Sequence, residues 1–212
     1  MKKLVMSMLV LCSIAFGSTF DDAITAYNKQ SYIEALNLFY VLAKEGDNKA
    51  QYNVALMYEN GQGVKADINQ ARQWYEKAAK GGNAKAAYNL ARLYQSLEGK
   101  VPHAIEMARY WYEKAVDGGI SQAYNNLATL YLEGKGVPKD SKKALELLQK
   151  AASEGNHKAE YNLGVLYGWG DNIQRDKLKA YENLTKAIKG GVSQAGDYLD
   201  KLCKESAWVC KN

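Results

Sequence analysis

Ala50-Gln51-Tyr52-Asn53-Val54-Ala55-Leu56-Met57-Tyr58, then Gly61-Gln62-Gly63-Val64, Asp67, Ala71-Arg72-Gln73-Trp74-Tyr75-Glu76-Lys77-Ala78-Ala79 and Gly81-Gly82 form the stretch that decides the fold. In its first segment the apolar positions 50, 54, 57 and 58 keep the i, i+4, i+7, i+8 spacing of one helical face. Gly61-Gln62-Gly63 follows. Glycine ends the helix because it accepts positive φ without a Cβ clash. Asp67 stands where an N-cap is needed, its carboxylate placed to accept from the free N–H groups of a second helix. That helix carries small Ala71, Ala78 and Ala79 beside large Trp74 and Tyr75, and stops at Gly81-Gly82. The stretch predicts a pair of helices joined by a glycine turn.

The pair recurs. Ala50, Ala86, Ala123, Ala159 and Ala195 are spaced by 36 or 37 residues. Tyr58, Tyr94, Tyr131 and Tyr167 keep those steps, as do Asn53, Asn89, Asn126 and Asn162. Ala71, Ala108, Ala144 and Ala180 follow, then Ala78, Ala115, Ala151 and Ala187, and each unit closes at Gly82, Gly119, Gly155 or Gly191. One helix pair cannot bury its apolar face alone, so a repeat of this length implies stacked pairs sharing one core. Residues 47–82 and 120–155 show the pattern best. Residues 83–119 carry Gly99-Lys100-Val101-Pro102 as a turn one residue longer, and residues 156–191 carry Gly168-Trp169-Gly170 and a polar loop. Residues 18–46 read as a variant first unit with a shorter turn, in register through Ala35 and Gly46. Residues 192–212 read as a capping helix and tail.

The combination Asn-Leu-Ala/Gly, Tyr, Gly-x-Gly-Val-x-x-Asp, Ala, Trp-Tyr-x-Lys-Ala-Ala-x-x-Gly resembles the Sel1-like repeat, a relative of the tetratricopeptide repeat. The resemblance covers residues 47–191 in four copies. It implies an all-α, right-handed α-solenoid of stacked antiparallel helix pairs. It also implies a non-catalytic adaptor or scaffold, often exported in bacteria, that binds another protein.

Residues 1–17 read as an address. Lys2 and Lys3 precede an apolar run from Leu4 to Phe16, shorter than the roughly 20 residues of a membrane span. Small Ala15 and Gly17 then mark a cleavage site before Ser18, the pattern of a secretory signal peptide. An uncleaved anchor and a lipoprotein modified at Cys12 are the alternatives; Leu11 is large for a lipobox. Removal of residues 1–17 leaves 26 basic against 23 acidic side chains, a net +3, with no basic block. That balance and export both oppose nucleic-acid binding. The expected location is periplasmic or secreted.

No catalytic or cofactor constellation is evident. No serine has lysine three residues on, and no phosphate-binding glycine loop is complete. Ser121 and Ser193, in Gly-x-Ser-x-Ala contexts, are expected to cap the next helix. His103 and His157 are expected in loops. Two histidines and three cysteines leave no basis for a multi-ligand zinc cluster. Cys203 and Cys210 would be about 10.5 Å apart on one unbroken helix, too far for a disulfide. A bond therefore needs the helix to break near residues 205–207. Cysteine-rich Sel1-like relatives, which clip helices with pairs at similar spacing, imply that it forms; free thiols or a bond to another chain are the rivals.

By analogy with tetratricopeptide proteins, the first helices line the concave face. This places Lys49, Lys85 and Lys158 in one column, Tyr52, Tyr88 and Tyr161 in the next, and Arg92 four residues beyond Tyr88. These are the candidate partner-binding residues. Tyr and Arg are frequent interface anchors, and the cations favour an acidic segment or a free C-terminal carboxylate. The tyrosines read equally as repeat packing. The Asn column reads as an inter-repeat hydrogen-bond ladder. An immunity or inhibitor protein acting on a toxin, and a β-lactamase-like or penicillin-binding hydrolase as described for cysteine-rich relatives, are the alternative functions.

Overall fold

The computed structural model describes residues 19–170 and 172–210. The signal-peptide reading of residues 1–17 lies outside them. Among the described residues there are eleven helices and no strand. They are α1 (Phe20–Asn28), α2 (Tyr32–Lys44), α3 (Asn48–Asn60), α4 (Ile68–Lys80), α5 (Ala84–Ser96), α6 (Ala104–Asp117), α7 (Ser121–Glu133), α8 (Ser141–Ser153), α9 (His157–Trp169), α10 (Lys177–Lys189) and α11 (Gln194–Glu205). The chain forms two compact units, one ending at Leu90 and one beginning at Ala91. In the first, α1 to α4 pack each on the next; in the second, α6 to α11 do so.

The small-residue columns form the cores. Ala50, Ala71, Ala78, Ala108, Ala115, Ala123, Ala144, Ala151, Ala159, Ala180 and Ala187 are fully buried. At Gly164 the approach is closer still. A Cβ there would lie 2.6 Å from Leu184 Cγ, so α9 meets α10 where only glycine fits.

Caps set the helix limits. The carboxylates of Asp67 and Asp140 each accept two backbone N–H bonds at the starts of α4 and α8. Gly61 and Gly134 end α3 and α7 with φ near +69°. The second glycine of Gly-x-Gly has its own reason. Gly63 has φ +73°, and a Cβ on it would stand 2.4 Å from the Tyr32 carbonyl oxygen. A Cβ on Gly136 would stand 3.2 Å from Ile105, the residue one repeat period beyond Ile68. The turn thus lies on the start of the preceding second helix.

Three local expectations are corrected. Neither serine caps its helix. Ile120 is the N-cap of α7, while the Ser121 hydroxyl points toward the Ala151 carbonyl. Ser193 has helical φ and ψ in place of the extended backbone of a capping residue, and its side chain makes no capping bond. His157 is not in a loop; it opens α9 and its Nδ1 lies 2.8 Å from the buried Glu160 carboxylate. His103 is the N-cap of α6, at φ +56°.

The Asn column is a ladder in part, and its rungs run through tyrosine. Asn89 donates to the Tyr75 hydroxyl, and Asn126 to the Tyr112 hydroxyl at 3.0 Å. Each hydroxyl donates onward, Tyr75 to Glu59 and Tyr112 to Gln95 at 2.7 Å. Where the tyrosine column becomes Phe39, no hydroxyl is offered, and Asn53 turns back to its own helix at the Lys49 carbonyl. Where it becomes Leu148, Asn162 reaches across to Asn125 instead. Burial next to the Glu59 carboxylate pushes the Tyr75 phenol far above its ordinary range.

Candidate partner-binding surface

The candidate residues fall on three first helices. Lys49 and Tyr52 lie on α3, Lys85 and Tyr88 on α5, all in the first unit. Arg92 lies on the part of α5 that belongs to the second unit, and Lys158 and Tyr161 lie on α9. Lys49, Lys85, Arg92 and Lys158 are exposed, whereas Tyr52, Tyr88 and Tyr161 are half-buried. The intervals 49 to 52 and 158 to 161 set each Lys–Tyr couple on one helical face.

The tyrosines are joined to the packing beneath them. The Tyr52 ring lies 6.0 Å from that of Tyr75. Burial raises the Tyr52 pKa, opposed by a hydrogen bond with Asn89 and reinforced by the Glu59 charge. Tyr161 meets the edge of Tyr198 on α11, ring centres 5.6 Å apart; burial, then the Tyr198 hydroxyl, raises its pKa. Each ring therefore presents a fixed edge, which lowers the ordering cost of a contact made on it.

In the second unit the structure adds residues that the sequence reading passed over. Trp169 stacks edge-on with Tyr198 at 5.2 Å, and the Lys201 ammonium stands 5.1 Å from the Trp169 ring centre. Beside them lies a groove of about 210 Å³ lined by Leu132, Asn162, Val165, Leu166, Trp169 and Gly170. The Trp169 indole N–H is shielded from solvent without a protein acceptor. The repeat register carried a signal for Tyr198, since it occupies the Asn column one period after Asn162. Trp169, read in the sequence as part of the departing Gly168-Trp169-Gly170 turn, is the last residue of α9, in the column of Asn60, Ser96 and Glu133, where a lone aromatic among polar residues was the available signal.

Cys203 and Cys210 form a disulfide, with Cα atoms 5.8 Å apart. It is possible because α11 stops at Glu205 and the chain turns back, burying Ser206 and Val209 and leaving Trp208 exposed. Among the described residues no group of three or more His, Cys, Asp or Glu side chains is placed to hold a metal ion. No helix among them is long and apolar enough to cross a membrane.

Residues 48–83, 84–120, 121–156 and 157–192 each match the Sel1 repeat. Among curated proteins none matches the chain, but solved structures do. A Sel1 repeat protein from Oxalobacter formigenes is 28% identical with a TM-score of 0.78, covering 87% of this chain and 75% of that one. A protective antigen of uropathogenic Escherichia coli is 30% identical with a TM-score of 0.77. That match covers 82% of this chain but only 37% of the antigen's length. An immunity protein from Pseudomonas aeruginosa shares the fold at 23% identity and a TM-score of 0.50, over 82% of this chain and 67% of its own. With four matched repeats covering most of its length, the chain belongs to the Sel1 repeat family of all-α solenoids, which serve in general as protein-interaction scaffolds.

Proposed function

We propose that this chain is an exported, non-catalytic adaptor or regulator of the bacterial cell envelope that binds a protein partner on its first-helix faces. One observation carries the reading. Positions that repeat in every unit, the Ala and Tyr58-type columns, serve packing, while the columns of the candidate residues change from unit to unit. Gln122 interrupts the lysines of one column and Asn125 the tyrosines of the next; the third runs Leu56, Arg92, Thr129, Val165. Residues held constant by stacking cannot distinguish partners; residues that vary along the stack can. Exposed cations beside half-buried tyrosines suit an acidic segment or a C-terminal carboxylate, with tyrosine supplying area and the cation register. Localisation in the periplasm or outside the cell rests on the signal-peptide pattern of residues 1–17.

The test is capture from a periplasmic extract by Ser18–Asn212, against a variant carrying Lys49→Glu, Lys85→Glu and Lys158→Glu. All three lysines are exposed, so the variant keeps its packing, which circular dichroism checks. A single protein held by the first and released by the second supports the reading. Capture that survives the charge reversal places the interface elsewhere. If the captured protein is a toxin silenced by binding, the immunity function holds instead; hydrolysis of nitrocefin by the pure chain would replace the adaptor reading with the hydrolase one.

A further inference from the structure

The disulfide stands in a chain of contacts that ends at the groove of the second unit. Glu205, the last residue of α11, lies within the loop closed by Cys203 and Cys210. Its carboxylate is 3.4 Å from the Arg175 guanidinium. The same guanidinium donates through Nε to the Gly168 carbonyl at 2.7 Å. Gly168 adjoins Trp169 and Gly170, two residues of the groove lining. A second tie runs beside the first, since the Lys177 ammonium, at the start of α10, donates to the buried Ser206 hydroxyl inside the same loop. Arg175 is peculiar to this turn, because the corresponding residues of the first and third repeats are Ala66 and Lys139. The backbone bond from the Asp176 N–H to the Tyr167 carbonyl recurs in those repeats, from Asp67 to Tyr58 and from Asp140 to Tyr131. Only here does an arginine join that turn to a disulfide-closed segment.

We propose that the Cys203–Cys210 disulfide is a redox-sensitive strap that holds the Trp169–Gly170 lip of the groove through Glu205 and Arg175. A dithiol opens it by thiolate attack on one sulfur, giving a mixed disulfide that the second thiol resolves. Two electrons and two protons pass to Cys203 and Cys210, and the dithiol leaves as a cyclic disulfide. With the strap open, the last turn of α11 loses the cross-link that fixes its unsatisfied carbonyl end. Glu205 loses its fixed place, and Arg175 keeps the Gly168 carbonyl without its anchor. The inference rests on contacts within the second unit and stands whether or not the first-helix faces bind a partner.

Hydrogen exchange on Ser18–Asn212, oxidised and after reduction with dithiothreitol, tests it without any ligand. Loss of a cross-link closing seven residues raises local opening at the end of α11 by up to about 50-fold. Loss of one exposed ion pair raises exchange at the Gly170 and Asp176 amides by about two- to five-fold. Both rises together are the expected result. A rise confined to residues 199–210 overturns the proposal, because the disulfide is then a local staple. So does a rise that extends through α1 to α4, because it is then a global one. Arg175→Gln with the disulfide intact supplies the second arm. It should raise exchange at Gly170 and Asp176 at least to the reduced level, because it removes the bond to the Gly168 carbonyl as well as the Glu205 pair, and reduction should then add nothing at Gly170. A full further rise on reduction of the variant would remove Arg175 from the route and overturn the strap.

Discussion

Replacing Tyr112 with Phe removes one buried oxygen from the second unit and leaves the ring. The lost hydroxyl is fully buried, donates to Gln95 at 2.7 Å and accepts from Asn126 at 3.0 Å. Each such bond contributes about 0.5–1.5 kcal/mol net, so removing both costs about 1–3 kcal/mol. The protein itself narrows that range. Opposite Phe39, Asn53 has bonded the carbonyl four residues back. Asn126 can do the same toward Gln122, leaving Gln95 as the group that loses a partner. The expected cost is therefore about 1–2 kcal/mol. Tyr75→Phe should cost more, about 2–3 kcal/mol, because its hydroxyl serves a carboxylate, Glu59, and bonds to charged groups are roughly twice as strong. The assay is urea unfolding followed by circular dichroism, read as a midpoint shift at unchanged slope. The cycle Tyr112→Phe with Asn126→Ala should show at least about 0.5 kcal/mol of coupling. A Tyr112→Phe effect below about 0.3 kcal/mol, or Tyr75→Phe costing no more than Tyr112→Phe, would falsify the claim that these hydroxyls knit neighbouring repeats.

Three further outcomes are expected. Alanine at Gly82, Gly136 and Gly63 should destabilise in that rising order. Gly82 carries positive φ in open space, at about 1 kcal/mol; Gly136 adds 3.2 Å contacts with Ile105, giving about 1–2 kcal/mol; Gly63 adds a clash with the Tyr32 carbonyl, giving about 2–5 kcal/mol. Equal midpoints for the three variants would refute the packing explanation of Gly-x-Gly. Gly164→Ala should cost about 1–2 kcal/mol by thermal unfolding, since crowding on buried Leu184 outweighs alanine's better helix propensity; a stabilised variant would refute it. The raised Tyr75 pKa makes stability depend on alkaline pH. Its neutral form stabilises fully below about pH 10, where the unfolded phenol titrates, and that contribution falls as pH rises further. Tyr75→Phe should flatten the decline between pH 10.5 and 12 by about 1.4 kcal/mol per pH unit, and parallel wild-type and variant curves would exclude this.

The helix pairs, their caps and their alanine cores were legible because the repeat compares each position with its equivalents. A glycine that recurs at one column is a turn; an aspartate that recurs after it is a cap. Where a residue has no equivalent, that comparison has no power. Ser121 and Ser193 had the chemistry of caps, but residue identity does not encode backbone position: Ser121 is already inside its helix and Ser193 has helical φ and ψ, and neither side chain makes a capping bond. His157 lost its expected loop because α9 begins one residue after the Asn156 cap, and its pairing with Glu160 follows from the i, i+3 spacing of a helix. Tyr198 stands in register, one period after Asn162, but the last unit was read only as a cap and its columns were not followed. The disulfide required knowing that α11 ends at Glu205, and Cys-to-Cys spacing alone left three outcomes open.

The broken columns also explain why an apolar groove occurs in the fourth repeat. In the first two repeats a carboxylate or amide (Glu59, Gln95), a tyrosine hydroxyl (Tyr75, Tyr112) and an asparagine (Asn89, Asn126) form a polar seam. In the third and fourth the tyrosine becomes Leu148 and Leu184, and the acceptor column becomes Leu132 and Gly168. Losing the hydroxyl removes the reason for an acceptor, and the acceptor has gone with it in both places. What remains is a seam of hydrocarbon, with Leu132, Val165 and Leu166 beside Trp169. An asparagine without its tyrosine must find another partner, and Asn162 donates to Asn125, which is itself buried. The substitutions that end the hydrogen-bond seam thus supply apolar lining and leave no side chain at Gly168 beside its backbone carbonyl. Arg175 then takes that carbonyl, and through Glu205 links it to the disulfide. A search for the specificity of this solenoid should begin at the columns where its repeats stop agreeing.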